Sequence, residues 1–109
     1  MHTNASVSIN GNQVTLQLDG QTLIMEVLNA PSGLSIGTAS AQRTDADPPL
    51  PAGQSDQENP GVTVVTMDLP AGQYTLEVLF NPQWPGMSSS DFVSPASVAL
   101  SDWSLTSHN

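Results

Sequence analysis

Residues 7–28 read Val7-Ser8-Ile9-Asn10-Gly11-Asn12-Gln13-Val14-Thr15-Leu16-Gln17-Leu18-Asp19-Gly20-Gln21-Thr22-Leu23-Ile24-Met25-Glu26-Val27-Leu28. Apolar and polar residues alternate through Val7–Ile9 and again through Val14–Leu18, the period of a half-buried strand. Asn10-Gly11 and Asp19-Gly20 fall between these runs, and both dipeptides accept the positive φ of a type I′ hairpin turn. A turn at 10–11 pairs Ile9 with Asn12 and Val7 with Val14. A turn at 19–20 pairs Leu18 with Gln21, Leu16 with Leu23 and Val14 with Met25. Val7, Ile9, Val14, Leu16, Leu18, Leu23, Met25 and Val27 then share one face, and Ser6, Ser8, Gln13, Thr15, Gln17, Thr22 and Glu26 the other. Two turns that agree on one apolar face specify a three-stranded meander. Ile24 and Leu28 interrupt the polar face, which marks it as a surface covered by a loop or another domain.

Outward from this meander the pattern stays β. Strands are expected near 6–9, 12–18, 21–28, 34–41, 62–69, 73–80 and 97–105, with Tyr74, Leu76, Val78 and Phe80 forming the apolar set of the sixth. Asn29–Gly33 and Pro70-Ala71-Gly72 are turn clusters. Two long loops remain: an acidic one over 42–61, and one over 81–96 that holds Trp84, three prolines and Ser88-Ser89-Ser90. Twenty residues without an element is long for a compact domain, which makes 42–61 functional, disordered or a cover. About seven short strands between turn signals predict an all-β antiparallel sandwich occupying 1–109 as a single domain.

Charge excludes several functions. The chain carries one cation, Arg43, against ten carboxylates, for a net charge of −9. Neutralising phosphates takes several Lys or Arg, so nucleic acid is excluded as a partner, and anionic membrane surfaces with it. A lysine-free acidic surface suits salty water, where repulsion is screened. No apolar run approaches the roughly 18–20 residues of a membrane helix. No basic leader followed by an apolar core is visible, and the chain reads as a mature fragment or an excised domain with an added Met. Cysteine is absent, so disulfides and thiol chemistry are excluded.

The residues hold no catalytic set. His2 and His108 lie near the ends, no interior His is present, and no Gly-x-Ser-x-Gly elbow accompanies the many serines. Tyr74 alternates in phase with Leu76 and Val78, which places it in or beside the core. Asp45, Asp47, Asp56 and Glu58 are candidate calcium ligands, since calcium takes hard oxygen donors gathered on a loop. Their spacing matches no EF-hand, and a solvated acidic loop is the competing reading. Asn4-Ala5-Ser6 fits a glycosylation sequon. Trp84, in Asn81-Pro82-Gln83-Trp84-Pro85-Gly86, is either a sugar-stacking platform or a plug for the open end of the sandwich. Trp103 is expected to pack within the last strand.

Three features in order resemble the C-terminal β-sandwich of heparinase II/III-like polysaccharide lyases. They are the Asp19-Gly20-Gln21-Thr22-Leu23 hairpin running into Glu26-Val27-Leu28-Asn29-Ala30-Pro31, and the polar stretch Asp56-Gln57-Glu58-Asn59-Pro60-Gly61 before a strong strand. The third is Tyr74-Thr75-Leu76-Glu77-Val78-Leu79-Phe80-Asn81-Pro82 with a closing Val98-Ala99-Leu100-Ser101-Asp102-Trp103. The likeness spans roughly residues 13–105 and rests on pattern and order. It implies a bacterial, periplasmic or extracellular accessory sandwich seated against the larger catalytic domains of a parent lyase, with Ile24 and Leu28 at the interdomain patch. Such lyases cleave uronic-acid polysaccharides by β-elimination with Tyr, His and Asn of a toroid and a central sheet domain. None of that machinery is in this chain, so no catalytic role carries over and no cofactor is implied. The alternatives are a stand-alone carbohydrate-binding module for neutral glycans, with Trp84 as its platform, and a structural adhesion or surface module.

Overall fold

The computed structural model describes residues 1–87, 91, 93, 96 and 98–103. Seven strands follow in chain order: β1 His2–Thr3, β2 Ser6–Asn10, β3 Gln13–Leu18, β4 Gln21–Leu28, β5 Ser35–Ser40, β6 Thr63–Asp68 and β7 Glu77–Gln83. They form a four-stranded sheet ordered β2-β3-β4-β7 and a three-stranded sheet ordered β1-β6-β5. Every neighbouring pair is antiparallel. The two sheets face each other as a sandwich, and the chain crosses between them at Asn4-Ala5. There the Ala5 amide donates to Thr3 Oγ1 at 3.0 Å, a local bond that ends β1 and turns the backbone.

The second hairpin has the expected register, with Leu18 opposite Gln21, Leu16 opposite Leu23 and Val14 opposite Met25. Asp19 and Gly20 both take positive φ, at 50° and 76°, as a type I′ turn requires. The first hairpin differs. Asn10 pairs with Gln13, Ile9 with Val14 and Val7 with Leu16, so the turn residues are Gly11 and Asn12. Gly11 has φ of 58° and Asn12 is not in the positive region. Glycine first and an ordinary residue second is the φ signature of a type II′ turn. The pairing has moved by two residues, an even number, so every side chain keeps its face.

Among the described residues the buried ones are Ala5, Val14, Leu16, Met25, Val27 and Val65, all apolar. Val14 and Met25 are sealed completely, facing each other across β3 and β4, and Val65 of β6 closes over them from the other sheet. Val7, Leu23, Ile36, Met67 and Val78 pack around this centre. Ile9 and Leu18, on the same face, lie at hairpin ends and stay exposed.

Three expectations are corrected. β1 lies outside the expected strands: it is two polar residues whose partners, Val64 and Thr63, lie far along the chain. β7 begins at Glu77, not near 73, and runs through Pro82 to Gln83; proline is tolerated because β7 is an edge strand. The closing strand at 97–105 is not formed at its described positions. Leu100–Asp102 is a 3-10 turn, with the Asp102 amide on Ala99 O at 2.8 Å. Ser97, Ser104 and Leu105 lie outside the described residues, as do Ser88-Ser89-Ser90 and His108.

Candidate functional site

Trp84 follows directly from β7. Trp84-Pro85-Gly86-Met87 closes as a β-turn, the Met87 amide donating to Trp84 O at 3.0 Å. Proline at the second position and Gly86 with φ of 85° at the third give a type II turn, whose third position favours glycine. The turn stiffens the segment and leaves the indole 61% exposed. Trp84 stands at one end of the sandwich, beside a shallow groove of about 300 Å³ that Thr3, Leu18, Gln21, Pro82 and Gln83 also line. It therefore borders the open end without filling it. Gln83 Nε2 reaches Asn81 O at 3.5 Å. An exposed indole beside two amide side chains is a surface on which a sugar ring can stack while its hydroxyls are hydrogen-bonded.

The outer face of the four-stranded sheet carries the second candidate. Ile24 and Leu28 are half-buried there, with Leu79 on the adjacent β7. Leu28 lines an open, mostly apolar groove of about 800 Å³ with Tyr74, Leu76, Leu79, Leu100 and Trp103; Thr75 and Glu77 also line it, and Ile24 does not. Tyr74, Leu76, Leu100 and Trp103 are exposed. Tyr74 and Leu76 precede β7 and do not enter the core as the alternation had implied. Trp103 does not pack within a strand; its indole N–H donates to Val98 O at 3.1 Å across a local turn. Asn81, opposite Ile24, has a buried side-chain oxygen with no hydrogen-bond partner among the described residues.

Asp45, Asp47, Asp56 and Glu58 are all exposed. Among the described residues no group of three or more His, Asp or Glu is placed to hold an ion. Asp47 closes a small turn instead, its Oδ2 accepting from the Thr44 amide at 2.6 Å and from Thr44 Oγ1 at 3.2 Å. The backbone bond, then the hydroxyl, hold the Asp47 carboxyl below the usual aspartate range. Arg43 donates to Pro48 O in the same loop. Asn4 is exposed at the β1–β2 corner, accessible as a sequon asparagine has to be.

No protein-family model matches the chain, and no curated protein matches it either.

Proposed function

We propose that this chain is a non-catalytic accessory β-sandwich of a polysaccharide-degrading protein, of the kind found at the C-terminus of heparinase II/III-like lyases. The observation that carries the reading is the apolar groove on the outer sheet face, where Leu28 and Leu79 meet the exposed Leu76, Leu100 and Trp103. A mostly apolar surface of this kind, with only Thr75 and Glu77 among its lining side chains polar or charged, is a candidate contact with another domain or chain. The order of hairpin, polar stretch and β7 segment supports the same assignment. Mixing the chain with the catalytic portion of such a lyase, stripped of its own C-terminal sandwich, tests it. Association that Leu28→Asp abolishes is the expected result. An indifferent catalytic portion overturns the reading.

A second reading, a binding module for neutral glycans, is favoured by the exposure of Trp84 on its stiff turn. Ten carboxylates against one guanidinium leave no favourable field for a uronate polymer. Titration against neutral and acidic oligosaccharides is expected to show weak binding of neutral sugars only, lost in Trp84→Ala. Tight, salt-sensitive binding of heparin or alginate contradicts both readings.

A further inference from the structure

We propose that Asn10-Gly11 is a site of self-modification: in the folded protein the Gly11 amide nitrogen closes on the Asn10 side chain, and Asn10 becomes aspartate or isoaspartate before any other described asparagine. The inference rests on the first hairpin alone and goes beyond the accessory-domain reading.

The chemistry is intramolecular. The Gly11 nitrogen, having given its proton to hydroxide, attacks Asn10 Cγ. The side-chain nitrogen takes a proton back from water and leaves as ammonia. The five-membered imide so formed then takes up one water. Opening at Cγ gives aspartate; opening at the main-chain carbonyl gives isoaspartate, whose chain runs through Cβ. The net change is one water consumed and one ammonia released, with no oxidant or cofactor.

The hairpin admits this reaction. Gly11 is a turn residue outside the ladder, and no acceptor among the described residues takes its N–H. A Cβ at Gly11 would meet nothing within 4 Å, so the nitrogen is approachable. Glycine also brings no side chain to crowd the ring. Asn10 is exposed and forms, with Gln13, the last pair of β2, an outer strand of its sheet. Ring closure requires Asn10 to leave its extended backbone, and fraying of that one terminal pair suffices.

The other described asparagines are held back, each for its own reason. Asn59 and Asn81 precede prolines, which have no N–H. After Asn4, the Ala5 amide is committed to Thr3 Oγ1 at 3.0 Å, and Ala5 is buried. Asn12 O accepts from the Val27 amide at 2.9 Å, which holds the Asn12 backbone on β4. Asn29 is followed by Ala30, whose methyl group crowds the ring. Asp19-Gly20 offers the same glycine, but a carboxylate is a poor electrophile and releases no ammonia. The product adds a negative charge to a chain already at −9. In the isoaspartate form an extra main-chain carbon separates β2 from its turn, and Gln13 loses its partner in register.

The test is incubation of the intact chain in mildly alkaline buffer, with ammonia assay, isoelectric focusing and fragmentation mass spectrometry. One more acidic form is expected, located at Asn10, appearing at a rate proportional to hydroxide. Asn10→Gln, whose longer side chain needs a six-membered ring, is expected to abolish it. In urea, at the same pH, Asn10 is expected to react faster than in the folded chain by about a hundredfold at most, the order of two backbone hydrogen bonds. Asn4, Asn12 and Asn29 are expected to react measurably only there. Reaction at any of these three before Asn10 in the folded chain overturns the proposal. So does protection of Asn10 by about a thousandfold or more, the level of global unfolding.

Discussion

Gly11 and Gly20 close the two hairpins of the meander with different backbone solutions. At the second turn both central residues, Asp19 and Gly20, take positive φ; at the first only Gly11 does, and Asn10 remains a strand residue paired with Gln13. Gly11→Ala is therefore expected to cost about 1–2 kcal/mol, the penalty of a Cβ in the left-handed region. That corresponds to at least about 4 °C in Tm for a domain of this size. Asn10→Ala is expected to change Tm little, whereas a type I′ turn at 10–11 would penalise both substitutions. Thermal melts of the two variants decide between the turns.

Asp47 gives the residue scale a pH dependence. Its carboxyl is held low by the Thr44 amide first and the Thr44 hydroxyl second. A folded pKa below the unfolded value stabilises its turn above the ordinary aspartate range, and the effect is lost as pH falls through the lowered value. Because this carboxylate lies in solvent, the effect is confined to the 44–47 turn and Tm is not expected to follow it. In a carboxyl NMR titration Thr44→Ala is expected to raise the Asp47 midpoint only part of the way, since the backbone donor remains.

At the scale of elements, β4 decides the packing. It lies between β3 and β7 and supplies Met25 and Val27 to the buried set. Met25→Ala is expected to cost about 2–5 kcal/mol, the range for truncating a large core side chain. With so few residues sealed from water, that loss is expected to lower Tm by at least about 8 °C at about 4–8 °C per kcal/mol; a smaller shift in a thermal melt contradicts this view of the core. The faces of β2–β4 were legible because turn chemistry and alternation are both local. The exact turn was not, since Asn-Gly and Gly-Asn both suit two-residue hairpins and the faces are identical under either. β1 was illegible because its pairing with Val64 and Thr63 is non-local and its own residues, His2 and Thr3, carry no pattern. The closing segment misled for the opposite reason. Val98-Ala99-Leu100 reads as a strand, but Ser101 and Asp102 bond to each other at 3.3 Å and the Trp103 indole N–H returns to Val98 O. Local side-chain bonds compete there with a sheet ladder.

At the scale of the whole molecule, the sandwich is closed unevenly. Both sheets contribute to the centre around Val14, Met25 and Val65, while the flank at Phe80 and Met67 stays open. The candidate sites follow that unevenness. Trp84 and its groove sit at one end, and the mostly apolar groove at Leu28 on the outer face. Of these, the sequence singled out Trp84 by its proline-flanked loop, and Ile24 and Leu28 by their break in alternation.

The segment between β5 and β6 has a chemical consequence. Arg43 is the only Lys or Arg in the chain and is exposed within that segment. Trypsin, which cleaves after basic residues, thus has one bond to cut, Arg43–Thr44. The N-terminal piece would hold β1 to β5 and the C-terminal piece β6 and β7. β6 lies between β1 and β5, and β7 lies on β4, so each sheet draws strands from both pieces. The nicked protein is expected to elute as one complex and to melt at a temperature that rises with its concentration, as the intact chain does not. Separation of the pieces at micromolar concentration would show that the ladders alone do not hold them. Joined again from two preparations, the halves would allow isotopes to be placed in β6 and β7 alone, one strand in each layer.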